Sequence, residues 1–96
     1  RAGGEAAIKL LRSRAITLTS CQIFEPIHRG ILIDSCRNTR IADNLIIDRT
    51  KEPTLSAAIE LTGQSHTTLI TGTLHSAPII DPHATATLQG NLETSP

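Results

Sequence analysis

Three short apolar bursts recur along this chain at the same internal offsets, and this recurrence restricts the fold more than any other feature. Ile8, Ile31 and Ile59 each open a pair of apolar residues separated by one position, in "IKL", "ILI" and "IEL". Ten residues after each comes another apolar position, at Leu18, Ile41 and Leu69. Three further on stand Cys21, Asn44 and Gly72, and two beyond those Ile23, Ile46 and Leu74. A shortened fourth copy reads Ile80, Thr87, Gly90 and Leu92, with the turn after Asp81 shortened. The copies begin 23 and 28 residues apart, and the extra length falls in "DRTKEPTL", Asp48 to Leu55, which reads as a loop. The bursts are too short for helices. Three such strands per repeat predict a solenoid, in which each strand pairs with its copy in the coils on either side.

Alternation within the bursts sets the facing. Ile31 and Ile33 point inward and Leu32 outward, where Lys9 and Glu60 stand in the neighbouring coils. Leu32 is therefore either exposed or covered by a loop. The composition agrees with a narrow interior. Phe24 is the sole aromatic, and Trp, Tyr and Met are absent. Aliphatic columns stacked on their own copies fill thin layers without rings. "GGEAAIKLLRSR" is rich in helix formers, but the repeat offsets predict a strand at "AIKLL", with a helix capping the first coil as the alternative. Asp81-Pro82 signals a turn, and "ETSP" reads as a frayed end.

The fullest copy runs Gly30-Ile31, Ile33, Ser35, Asn38, Ile41, Asn44, Ile46. This "GI-I-S-N--I--N-I" pattern resembles the right-handed parallel β-helix family, the pectate-lyase-like superfamily, and the resemblance extends from about Ala6 to Leu92. It implies an all-β, right-handed parallel β-helix of about three to four coils. Residues 1–96 then form a single partial domain, the C-terminal part of a longer solenoid. In that family the turn between the second and third sheets often holds a ladder of asparagines. Asn44 takes that place, while Cys21 and Gly72 depart from it. The resemblance also implies a secreted, carbohydrate-active protein, placed outside the cell, in the periplasm or at the cell surface. This chain would supply scaffold and one wall of a polysaccharide-binding groove. A non-catalytic structural or surface-adhesion solenoid is the alternative, and the lack of aromatics favours it.

In such proteins polysaccharide lies along the outer face of the first sheet, flanked by turns. The residues expected there are Lys9, Arg12, Asp34, Arg37, Glu60 and His66. A lyase needs a cation to stabilise an enolate and a base to take the α-proton, and Arg12 and Arg37 read as equivalent turns of adjacent coils. Asp34 and Glu60 are the better-placed acid pair, yet the Asn-Thr-Asp, Asp-Asp, Gly-His-Gly and Arg-Ile-Lys motifs of family hydrolases are absent. Whether the chain is catalytic stays open; a lyase or hydrolase would carry its catalytic coils upstream.

The four histidines lack metal-ligand spacing, although His66 and His83 fall in similar turns. No metal or cofactor is expected, and calcium enters through the resemblance alone. Cys21 and Cys36 read as two free thiols, with a disulfide open in principle. Nine basic and nine acidic residues balance to zero net charge, which argues against a nucleic-acid or anionic-membrane partner. No apolar run is long enough to span a bilayer. The partners expected are polysaccharide and the remainder of the parent chain, with self-association through open coil ends.

Overall fold

The computed structural model describes residues 6–25, 28–50 and 55–94. Every regular element among them is a strand. The first coil holds β1 (Ile8–Leu11), β2 (Arg14–Thr19) and β3 (Gln22–Phe24). The second holds β4 (His28–Asp34), β5 (Arg37–Ala42) and β6 (Leu45–Ile47), and the third β7 (Leu55–Thr62), β8 (His66–Thr71) and β9 (Leu74–His75). The fourth is reduced to β10 (Ile79–Ile80), β11 (Ala86–Gln89) and β12 (Leu92–Glu93). Each strand pairs in parallel with its counterparts, giving three four-stranded sheets ordered β1-β4-β7-β10, β2-β5-β8-β11 and β3-β6-β9-β12. The chain is an all-β parallel β-helix of four coils. The strand expected at "AIKLL" is β1; residues 1–5, where a capping helix would begin, lie outside the described residues.

The interior is built of aliphatic columns. Ile8, Ile31, Ile59 and Ile79 form one on the first sheet, and Leu10, Ile33 and Leu61 the next. Ile31, Ile33, Ile41, Ile46, Ile59 and Ile70 are wholly buried. Removing a side chain of this size from water contributes about 1.5–3 kcal/mol each, so the second and third coils carry most of the apolar stabilisation. Gly30 stands on the first sheet where a side chain has no room. A Cβ there would lie 2.6 Å from the Ala58 carbonyl oxygen and 2.5 Å from Ile46 Cγ2. Outward-facing Leu32 is half-buried between Lys9 and Glu60. Both cysteines are free. Cys36 is wholly buried, with Sγ 3.2 Å from the Leu10 carbonyl.

The register departs from the sequence reading in two places. The third coil has one more residue at its first corner, because three positions separate Asp34 from Arg37 and four separate Thr62 from His66. Ile41 therefore stands beside Ile70 rather than Leu69, and Ile46 beside His75 rather than Leu74. Asn44 is matched by Thr73 rather than Gly72. In the fourth coil Ile79, not Ile80, faces Ile59. Counting at fixed offsets cannot register a residue added within a turn, and burial decides the outcome: Ile70 is sealed and Leu69 half-open.

Corners repeat as faithfully as strands. Ser20, Asp43, Gly72 and Gly90 each adopt a left-handed backbone, with φ from 56° to 65°, at the turn from the second sheet to the third. Ser20, Asp43 and Gly72 donate their N–H groups to the carbonyls of Ala42, Thr71 and Gln89, one coil on. Side chains cap the next position. The Cys21 N–H donates to Asn44 Oδ1 and the Thr73 N–H to Asn91 Oδ1, both at 2.9 Å. Ser65 and Ser76 accept in the same way from the N–H groups of Cys36 and Asp48. Each cap comes from the coil that follows. Asp81, before Pro82, accepts from the Ala86 N–H at 2.8 Å and from Thr85 Oγ1 at 3.2 Å, which closes the turn expected there.

Candidate functional site

The six residues expected to line a groove divide between the first sheet, a corner and the second sheet. Lys9, Asp34 and Glu60 lie on the outer side of the first sheet. Lys9 follows the column of Leu32 and Glu60, and Asp34 that of Leu11 and Thr62. Glu60 Oε1 accepts from Arg29 Nε at 2.5 Å, and both side chains are about four-fifths covered. Asp34 instead accepts from Ser35 Oγ at 3.1 Å. The two carboxylates thus have separate partners, and Glu60 is held by a cation.

Arg12 sits at the corner after β1 with φ 49°, where its counterparts are Ser35 (φ 56°) and Gly63 (φ 67°). Arg37 is not its equivalent. Arg37 opens β5 on the second sheet, beside Arg14 on one side and His66 on the other. The sequence reading misplaced this pair because the corner takes two further residues before the second sheet begins. His66 and His83 border the same hollow, a shallow depression of about 140 Å³ shared with Gly63, Gln64, Ser65 and Thr85.

The outer face of the second sheet has a composition unlike the rest of the molecule. Its strands read "RAITLT", "RNTRIA", "HTTLIT" and "ATLQ", with no acidic residue. Arg14 and Arg37 are lateral neighbours, and parallel strands are about 4.8 Å apart. Arg40 projects further along β5 in the outward column of Thr17, Leu69 and Thr87. All three arginines are exposed. The ion pairs among the described residues join Arg29 to Glu60 and Arg49 to Glu25, and neither reaches this face. Two guanidinium groups placed side by side without an intervening carboxylate repel each other in the free protein, and an anion between them removes that repulsion. Beside the arginines, Thr67, Leu69, Thr85 and Thr87 border a second hollow of about 180 Å³. Arg14 and Arg40 were not singled out from the sequence, although the absence of Asp and Glu from these segments was visible there.

Other polar groups serve the fold. His75 is buried, with Nδ1 2.7 Å from the Ala77 carbonyl oxygen. Asp48 is buried and accepts from the N–H groups of Thr50 and Leu55, holding both ends of the insertion loop, whose residues 51–54 lie outside the described residues. Among the described residues no three His, Cys, Asp or Glu side chains converge as metal ligands, and no helix is long and apolar enough to cross a membrane. Comparison with protein-family models, curated proteins and solved structures found no match for the chain.

Proposed function

We propose that this chain is a β-helical binding segment of a carbohydrate-active protein of the pectate-lyase-like type, acting outside the cytoplasm, and that its ligand is an acidic polysaccharide. The observation that carries this reading is the acid-free outer face of the second sheet, with exposed Arg14 and Arg37 side by side and Arg40 beyond them. Guanidinium groups bind carboxylates in a fork geometry that lysine lacks. A row of them at the strand spacing suits a polymer with a carboxylate on successive units. The face contains no aromatic residue, so it has no platform for stacking bases, which separates it from single-strand nucleic-acid binders. The ligand's own charge takes the place of ring stacking.

Binding is better supported than turnover. Glu60 is engaged by Arg29 and Asp34 by Ser35, so neither carboxylate is poised as a partner for the other. The groove wall moves accordingly from the first sheet to the second, and of the residues named from sequence Arg37 and His66 remain on it.

Electrophoresis of the 96-residue chain through gels containing polygalacturonate tests the reading. Retardation by the free acid, none by its methyl ester, and restored mobility in Arg14→Ala/Arg37→Ala are expected. Equal mobility of the unmodified chain in the free-acid and methyl-ester gels would overturn it. Stronger retardation by single-stranded DNA than by polygalacturonate would replace it with a nucleic-acid reading. Release of unsaturated products from polygalacturonate would add a lyase activity to the binding role.

A further inference from the structure

One position recurs in all four coils where the chain enters the second sheet. Arg14, Arg37, His66 and His83 each stand immediately before a residue with left-handed backbone. Those residues are Ala15 (φ 55°), Asn38 (φ 54°), Thr67 (φ 52°) and Ala84 (φ 53°). The strand register sets Arg14 beside Arg37 and Arg37 beside His66. His83 lies in the turn ahead of β11 and borders the same hollow as His66. All four residues are exposed. The row thus runs Arg, Arg, His, His along the solenoid axis, one residue per coil.

The surroundings of the two histidines suit an anion rather than a metal ion. Arg37 is the charged neighbour of His66 on β5, with Arg40 further along that strand. Neither β8 nor β11 carries an acidic residue. The acids at this corner are Asp34 and Asp81, and both are engaged. Asp34 Oδ1 accepts from Ser35 Oγ and lies against Gly63 at the rim of the hollow. Asp81 accepts from Thr85 Oγ1 and from the Ala86 N–H. A metal ion would need a third ligand, and among the described residues none converges with the two imidazoles. Gln64, Ser65 and Thr85 border the hollow as well, and each side chain can donate to an anion.

Imidazole is the side chain whose ordinary charge change falls between about pH 5 and 8. The carboxylates of a uronate polymer stay ionised across that range. As pH falls, the histidines therefore gain charge while the ligand keeps its own. We infer that pH sets how much of an acidic polymer this face holds: Arg14 and Arg37 carry it at mildly alkaline pH, and His66 and His83 join them in mild acid. This deepens the polysaccharide-binding reading and rests on it. Binding and protonation are coupled in both directions. An anion held at either imidazole favours its charged form, so binding takes up protons.

Calorimetric titration of the whole chain with polygalacturonate, at constant ionic strength, is the test. Between about pH 8 and about pH 5.5 the histidines gain their charge. Affinity is expected to rise on the order of tenfold over that interval, as two further exposed charge pairs allow. Proton uptake should appear as a heat that changes with the ionisation enthalpy of the buffer. In His66→Gln/His83→Gln the affinities at the two pH values should be equal. In His66→Arg/His83→Arg the tight binding should persist at the higher pH, because guanidinium keeps its proton there. Binding of equal strength at both pH values in the unmodified chain would overturn the inference and leave the polysaccharide reading standing. Tightening that survives in the glutamine variant would also overturn it, since the titrating group would then lie elsewhere. An absence of binding at either pH would overturn the inference and the reading beneath it together.

Discussion

Asn44 Oδ1 accepts a hydrogen bond from the backbone N–H of Cys21, one coil earlier, at 2.9 Å, while its Nδ2 donates to the Leu18 carbonyl at 3.4 Å. One buried amide thereby joins the first coil to the second where no strand ladder runs. Asn44→Ala is expected to lower stability by about 1–3 kcal/mol, because the Cys21 N–H loses its acceptor. Asn91 makes the same two contacts with Thr73 and Ile70, but on the half-open fourth coil, where water can replace it. Asn91→Ala should therefore cost less. Urea midpoints of the two variants check the ranking, and equal losses would mean that the fourth coil is as well sealed as the second.

Thr39 and Thr68 stand side by side on the inner face of the second sheet, each almost wholly buried, and neither hydroxyl has a hydrogen-bond partner. Their column begins with Ile16 and ends with Ala86, so two polar atoms interrupt an apolar stack. Thr68→Val keeps the β-branch that suits a strand and removes an unsatisfied oxygen. It should raise stability by about 1 kcal/mol, read as a higher urea midpoint at unchanged slope. A lower midpoint would show that the hydroxyl is bonded after all.

The parts of this fold legible in the sequence are those governed by local alternation. The facing of Ile31 and Ile33, the strand at Ile8–Leu11 and the corner at Asn44 each depend on residues within one coil. What escaped depends on counting across coils. The additional residue between Thr62 and His66 shifts everything after it by one, so Ile70, Thr73 and His75 were missed in favour of their neighbours. Asn91 was hidden for the same reason, since the offset pointed at Gly90. The candidate site suffered most. That Arg37 adjoins Arg14 rather than Arg12 is a fact of lateral register, and no property of either residue's own segment carries it.

Gly30→Ala is expected to destabilise by about 1–3 kcal/mol, as inserting a methyl into a packed interior does. The Ala58 carbonyl belongs to the backbone and cannot move aside. Gly72→Ala provides the comparison. Its φ of 60° is awkward for alanine, and the new Cβ would meet Asp43 Oδ1 at a turn exposed to solvent. That carboxylate can rotate away, and Ser20 and Asp43 already show that the corner accepts a side chain at positive φ. Thermal unfolding of the two variants should therefore rank Gly30→Ala below Gly72→Ala, and the reverse order would contradict the lack of space around Gly30.

Glu25 ties the first coil to the second on the outside of the third sheet. Its Oε2 accepts from the Arg49 backbone N–H at 2.8 Å and its Oε1 from Nη2 at 3.0 Å, while the same guanidinium lies 4.6 Å from the centre of the Phe24 ring. These hydrogen bonds, the side-chain one first, hold the Glu25 carboxyl below its ordinary value. A carboxylate whose pKa is depressed by folding adds stability above its unfolded pKa, and that contribution disappears as pH falls through the folded value. Arg49 stays protonated across this range and adds no slope of its own. Thermal midpoints measured from neutral pH into the acid should fall more steeply in the unmodified chain than in Glu25→Gln, with the two curves converging once Glu25 is protonated. Because the pair is exposed, added salt should narrow the gap at neutral pH. Parallel curves across the whole range would mean that the Glu25–Arg49 contact contributes nothing to holding the coils together.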